Sequence, residues 1–287
     1  MGLGEKEGYL IIVADKQKYL ESAVNLALSL KLKDKKPVCL LCCSKIRIPS
    51  IYSGIFDKMI LIKESEKLIG TTNKLLQYKY SPFDRTMFID SDCLMIKDNI
   101  DIIWKKLKSY NIGLRGTIAS SGKWSYFTEE NNVDIGTIVT LLNIKFLIKA
   151  NSQVMYYDKS SRSEEFFKKA LYLYEHFRDK VSLQFKKVKD EYTDEPIFGA
   201  AMGYFNIKPF PFMFKRHFFD CVQWSSTIQD AEDYSIDILR GICKVKFKGI
   251  NRYDSPIIAH FGGLRPTEIY FSEVNKLREL YKLPPAC

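Results

Sequence analysis

The chain predicts an α/β fold, with a mostly parallel central sheet flanked by helices in a single domain. Three observations carry this. Short, continuous apolar runs recur through residues 8–110: Tyr9-Leu10-Ile11-Ile12-Val13, Val38 to Cys43, Met59 to Ile62 and Thr86 to Ile89. Runs of this kind belong to strands buried on both faces. Segments of helical period lie between them, giving a β-α-β order. Acids stand at the ends of two runs, Asp15 after the first and Asp90-Ser91-Asp92 after the fourth. Open parallel sheets gather their ligands at those strand ends.

Each element has a local reason. Tyr19 to Leu32 repeats Ala23, Leu26, Ala27 and Leu30 at helical spacing, and lysines with Pro37 stop it. Asn73 to Lys79 reads as helix ending near Ser81-Pro82, and Ile102 to Leu107 as a short helix. The second half is less regular. Ile135 to Leu142 reads as a strand. Glu164 to Phe177 is an amphipathic helix with Phe166, Phe167, Ala170, Leu173, Tyr174 and Phe177 near one face. The polar, basic stretch from Arg178 to Tyr192 reads as a mobile loop. Thr193-Asp194-Glu195-Pro196 opens another helix, with Thr193 or Asp194 as cap. Pro209 to Phe212 is irregular chain, and Ile269 to Tyr281 a terminal helix. No repeat or linker divides residues 1–287, so the expectation is one domain in two halves, 8–110 and 111–287.

Hydrophobic content of 46% and charged content of 27% over 287 residues suit a soluble domain with a full core. The net charge of +10 favours an anionic ligand. Lysine is spread along the chain, and no nucleic-acid motif accompanies it, so nucleic acid is not expected as a partner. Cys39 and Cys42 form a C-x-x-C within the run Val38 to Cys43. As a strand this puts the sulfurs on opposite faces, and no second pair follows at zinc spacing. Buried free thiols and an odd total of seven cysteines point to a reducing compartment. The start, Met1 to Glu7, lacks a basic-then-apolar signal pattern, and no segment approaches the ~18 apolar residues of a membrane span. The expectation is a cytoplasmic, soluble protein without a transmembrane segment, compatible with peripheral membrane contact.

The aspartate pair carries the chemistry. In extended chain, residues i and i+2 point to one face. Two carboxylates there repel and pay desolvation unless a cation lies between them. The arrangement suits a hard divalent metal and, with it, a diphosphate.

Several segments together resemble glycosyltransferase family 8, the glycogenin-like family of the GT-A fold. They are Asn73-Lys74-Leu75, Tyr80-Ser81-Pro82-Phe83-Asp84-Arg85, Met87-Phe88-Ile89-Asp90-Ser91-Asp92-Cys93-Leu94 and Asn99-Ile100-Asp101. Ile11 to Asp15 with Tyr19, Ala23, Leu26 and Leu30 is similar to the family's nucleotide-binding start. His260-Phe261-Gly262-Gly263-Leu264-Arg265-Pro266 resembles its terminal His-Gly element. The likeness spans residues 9–266 and is thinnest from 145 to 190. It implies a GT-A, Rossmann-like domain, with a nucleotide-binding half (8–110) and an acceptor-binding half (111–287).

The resemblance implies a metal-dependent, retaining transfer of a hexose from a UDP-sugar to a hydroxyl of a glycan, protein or lipid-linked acceptor. Asp90, Asp92 and His260 would hold Mn²⁺ or Mg²⁺, the mixed oxygen and imidazole set suiting Mn²⁺ better. Ala14, Asp15 and Tyr19 would meet the nucleoside, with Ser91 and Gly263 also against the donor. Lys74 would face the diphosphate-sugar. Arg265 would contact the departing phosphate. There the family usually carries lysine one residue further along, and Thr267 replaces a tryptophan. Asp194 would lie near the anomeric carbon and Glu195, where glutamine is usual, near the acceptor. Asp134, in Val133-Asp134-Ile135-Gly136, would take the place of an asparagine on the sugar hydroxyls. A sugar-phosphate nucleotidyltransferase shares the sheet and the acids, but normally needs a Gly-rich loop after the first strand, and Ala14 to Lys18 contains no glycine. A non-catalytic sugar-nucleotide or glycan-binding protein is the reading from another class.

Overall fold

The computed structural model describes residues 7–14, 16–124, 134–181, 192–210 and 225–286. In chain order the elements are β1 (Glu7–Val13), α1 (Lys18–Lys33), β2 (Val38–Cys43), β3 (Lys58–Ile62), a 3₁₀ turn (Gly70–Leu76), α2 (Gln77–Tyr80), β4 (Arg85–Ile89), β5 (Cys93–Met95), α3 (Asp101–Leu107) and β6 (Ile112–Ala119). Then follow α4 (Ile135–Leu141), β7 (Leu147–Asp158), α5 (Ser161–Val181), α6 (Glu195–Tyr204), β8 (Ser225–Thr227), β9 (Ala231–Asp237), β10 (Ile242–Phe247), β11 (Ile258–His260) and α7 (Thr267–Leu280).

Six strands form the main sheet in the order β3-β2-β1-β4-β7-β6. The first four are parallel; β7 runs antiparallel to both β4 and β6. This is the mixed α/β architecture the sequence predicts. The chain steps outward from β1 to β2 and β3, then returns to place β4 on the other side of β1. A crevice therefore opens at the carboxyl ends of β1 and β4, where the strand order reverses. Cys39 packs with Leu10 and Leu41 on one face, Cys42 with Ile11 and Leu40 on the other, as alternation along a strand requires.

A second, three-stranded sheet stands beyond that crevice. Its centre is β11, antiparallel to β5 and parallel to β8. Since β5 begins directly after Asp92, the small sheet brings a C-terminal strand back to the aspartate pair. Helix α1 is buried through Leu20 and Ala23 to Leu30, packed between the main sheet and α7.

Helix α6 is apolar all round, and Pro196 to Gly203 are all buried. It lies against β7 at close range through two glycines one turn apart. A Cβ on Gly199 would stand 1.9 Å from the Ile148 carbonyl oxygen, and one on Gly203 2.1 Å from that of Phe146. No other residue permits that approach.

Two readings need correction. Ile135 to Leu142 is not a strand but helix α4. Asp134 accepts a hydrogen bond from the Gly136 N–H at its start, and Ile135 and Ile138 are buried one turn apart. The cap and the i, i+3 burial outweigh the β-branched composition. The stretch read as a loop from Arg178 is helical at its start. Arg178 to Val181 continue α5, because buried Val181 extends the apolar stripe of Leu173 and Tyr174. Tyr192 is buried, and residues 182–191 lie outside the described chain.

Candidate active site

The crevice is lined on one side by Ile12, Ala14, Lys16 and Tyr19, and on another by Gly70, Thr71, Asn73 and Lys74 of the 3₁₀ turn. Phe88, Asp90, Ser91 and Asp92 complete it. Ala14, Tyr19, Lys74 and Ser91, four of the residues expected to meet a donor, all line this one crevice. Tyr19 is 41% exposed, its ring at the rim with the Lys18 ammonium 5.2 Å from the centroid. Asp15 lies outside the described residues.

The site has two halves. In the first, carboxylates gather around one ammonium. Lys74 Nζ lies 2.8 Å from Asp90 Oδ2 and 3.7 Å from Asp194 Oδ2, and it donates to Ser152 Oγ at 3.1 Å. Glu195 Oε1 accepts the Ser152 backbone N–H at 3.1 Å. Asp194 and Glu195 open α6, where the helix dipole favours acids. The close α6–β7 contact brings them to Lys74.

Burial alone would depress the Lys74 ammonium, but the charges of Asp194 and then Asp90 outweigh it and raise its pKa. Burial pushes Asp90 up to about 6 against the pull of Lys74, with Asp92 adding to the rise. Burial and then the charge of Asp194 push Glu195 up to about 7. One lysine does not neutralise three neighbouring acids, of which Asp194 is buried and Asp90 and Glu195 partly so. Asp194 Oδ2, although buried, also has no hydrogen-bond partner among the described residues. Its cation is the Lys74 ammonium at 3.7 Å, beyond hydrogen-bond reach, which leaves the oxygen open to a further donor.

In the second half, Asp92 meets His260. Asp92 Oδ1 lies 3.3 Å from His260 Nε2, while its Oδ2 accepts the Gly263 N–H at 3.2 Å. The Phe261 N–H donates to the Asp92 carbonyl at 2.9 Å. Gly263 has φ +61°, the left-handed conformation a glycine tolerates. Burial raises Asp92, but the hydrogen bond and charge of His260 outweigh it and hold the carboxyl below its ordinary value. Burial lowers His260, and Asp92 outweighs it in turn, raising the imidazole.

Ligand atoms of Asp92, Cys93 and His260 lie within 4.8 Å of one another. The predicted metal trio is therefore brought together in part. Asp92 and His260 converge, Cys93 stands opposite His260 across the β5–β11 pair, and the Asp90 carboxylate is engaged by Lys74. A carboxylate oxygen beside an imidazole nitrogen fits a borderline-hard divalent cation.

Other predicted residues fall outside this core. Arg265 is exposed and does not line the crevice. Asp134 spends its carboxylate on the α4 cap, not on the crevice. Sequence reasoning missed Ser152, Gln153 and Thr227. One signal was available for the first two: the polar triplet Asn151-Ser152-Gln153 stands directly before the apolar run Val154 to Tyr157.

No protein-family model and no curated protein matches the chain. Solved structures do. The bifunctional glycosyltransferase WbbM aligns over 98% of this chain and 52% of its own, with 10% identity and a TM-score of 0.56. The chain thus spans about half the length of that protein. The galactosyltransferase LgtC, in complex with donor and acceptor sugar analogs, aligns over 67% of this chain and 69% of its own at 13% identity, TM-score 0.44. Mouse xyloside xylosyltransferase 1 aligns over 77% and 87% at 11% identity, TM-score 0.46. The fold is thus the α/β architecture that WbbM also carries. At these identities the likeness concerns architecture, and the side chains must supply the chemistry.

Proposed function

We propose that the chain is a metal-dependent, retaining glycosyltransferase of the GT-A, family 8 type, taking its hexose from a UDP-sugar. The observation that supports this most is the meeting of Asp92 and His260, far apart in sequence, beside the partly buried cluster of Lys74, Asp90, Asp194 and Glu195.

In this reading Asp90, Asp92 and His260 hold Mn²⁺ or Mg²⁺. The ion supplies Lewis-acid neutralisation of the departing diphosphate. Ala14, Asp15 and Tyr19 receive the nucleoside, and Ser91 and Gly263 hem the diphosphate. Lys74 offers its ammonium to the donor while bracing Asp90. Asp194, one of whose oxygens accepts no hydrogen bond among the described residues, faces developing positive charge at the anomeric carbon. Glu195 holds a proton near neutrality and can hydrogen-bond the incoming hydroxyl. The acceptor's proton passes to the leaving phosphate on the same face, which retains configuration without a strong protein base. Arg265, exposed just beyond Gly263, would turn to that phosphate. The acceptor is a glycan, a protein or a lipid-linked sugar.

The test is a panel of UDP-sugars with Mn²⁺, read by UDP release and by thermal shift. One donor should release UDP and raise the melting temperature only with the metal present. No release and no metal-dependent shift with any donor would sink the reading. A shift without release, even with acceptors supplied, would favour a binding protein.

A further inference from the structure

Strand β7 carries a wide irregularity opposite the crevice. Along β6, Leu114 pairs with Met155 but the next residue, Arg115, pairs with Asn151. Ser152, Gln153 and Val154 are therefore extra on the β7 side. Bulges of this kind re-aim side chains beside functional sites. Here Ser152 turns to Lys74 and Glu195, whereas Gln153 reaches the other half of the site. The Gln153 carbonyl also accepts the Asp90 N–H at 2.8 Å, tying the bulge to the aspartate turn.

Gln153 is buried, with 3% of its surface exposed. Its Oε1 accepts the Thr227 hydroxyl at 3.2 Å. Thr227 Oγ1 lies 3.1 Å from His260 Nδ1, β8 and β11 being paired at this register. A hydroxyl has one proton. Once Thr227 gives it to Gln153, the Thr227 oxygen can only accept from the ring, which places a hydrogen on Nδ1. Without a cation Nε2 donates its own hydrogen to Asp92, and with a cation between them Nε2 would present its lone pair to the ion.

We propose that Gln153 and Thr227 are positioning residues for His260, a relay that fixes the ring's rotation and tautomer so that Nε2 is held ready as a ligand for a divalent cation. The proposal rests on the metal reading above, and adds that affinity is set by two residues that touch no ion. Outer partners of this kind commonly govern metal affinity about 10- to 100-fold.

The test measures Mn²⁺ binding to the metal-free full chain, by calorimetry and by electron paramagnetic resonance with detection of ¹⁴N coupling from the imidazole. Wild type should bind Mn²⁺ with ¹⁴N coupling. Thr227→Val, which keeps the shape and removes the hydroxyl, should weaken binding about 10- to 100-fold and lose the coupling. Thr227→Ser should restore both. Gln153→Glu offers only acceptors and preserves the polarity of the relay, so it should retain the coupling. Melting curves of the metal-free variants establish that each is folded, and Thr227→Ser and Gln153→Glu carry the test if the valine variant is not. Wild-type affinity and coupling in Thr227→Val, or loss of coupling in both conservative variants, overturns the relay alone. Absence of Mn²⁺ binding in wild type overturns the metal reading and the relay with it.

Discussion

Glu195 shows what single residues contribute here. Its carboxyl is raised to about 7 from 4.5, by burial first and by Asp194 next. A raised pKa means that the folded state takes the proton more readily than the unfolded chain does. The stability this gives is present below 4.5 and is lost as pH rises through about 7. At about pH 8 the wild type therefore carries a buried charge that opposes folding, and Glu195→Gln carries none. The amide oxygen still accepts the Ser152 N–H. The variant without metal should melt higher than wild type at about pH 8, and the gap should close toward about pH 5. A gap that widens on acidification would contradict the sign. Asp92 makes the opposite kind of prediction, on activity. Asp92→Asn keeps one oxygen for Gly263 but removes the negative charge facing His260. Metal-dependent UDP release should fall about 100-fold or more, and the metal-free protein should melt somewhat lower near neutral pH, because the pair that holds Asp92 below its ordinary value is lost. Undiminished release would remove Asp92 from the chemistry.

At the scale of elements, placement of the site depends on how closely α6 lies on β7. Gly199→Ala would force its methyl against the Ile148 carbonyl oxygen, part of a paired strand that cannot retreat. A loss of about 1 to 3 kcal/mol is expected, read by urea denaturation. The helix must also move outward, carrying Asp194 and Glu195 away from Lys74. Donor turnover should therefore fall by more than the folded fraction does. An alanine variant as stable as wild type would mean that α6 is not seated this tightly. These elements were unequally legible. Strands β1, β2 and β4 announce themselves because their apolar runs are unbroken and largely buried, and helix α1 by its helical repeat; β3 shows the same kind of run although it is an edge strand with Met59 and Leu61 exposed. Strand β7 did not, since Asn151-Ser152-Gln153 breaks its pattern where the bulge aims side chains into the site. Strands β5, β8 and β11 have three residues each, too few for any period to show. Helix α4 misled because its isoleucines, valine and threonines favour strand until Asp134 and the burial of Ile138 decide otherwise.

At the scale of the whole molecule, the aspartate pair and His260 were legible only as separate motifs. Their meeting depends on the C-terminal segment folding back over α1. Phe261, directly after His260, is buried with Tyr270, Val274 and Leu277 of α7, so α7 supports the strand that carries the imidazole. What fastens α7 to α1 is polar. Arg278, 2% exposed, donates through Nε to Asn25 Oδ1 at 2.8 Å, through Nη1 to the Pro284 carbonyl at 3.0 Å, and through Nη2 to Glu21. Asn25 also donates to the Tyr270 hydroxyl at 3.2 Å. Removing one partner of a buried charged network leaves the others desolvated and unpaired, at a cost of about 3 to 5 kcal/mol. Glu21 is partly exposed and can turn to water, so the lower end applies to Arg278→Ala. Arg278→Lys should recover only part of the loss, because an ammonium cannot reproduce a fork that reaches three separate acceptors. Urea denaturation measures both variants. Because His260 is carried by the structure that α7 supports, Mn²⁺ affinity should weaken in the same order, wild type above lysine above alanine. If Arg278→Ala loses stability but binds Mn²⁺ as wild type does, the metal half of the site is held by the small sheet alone.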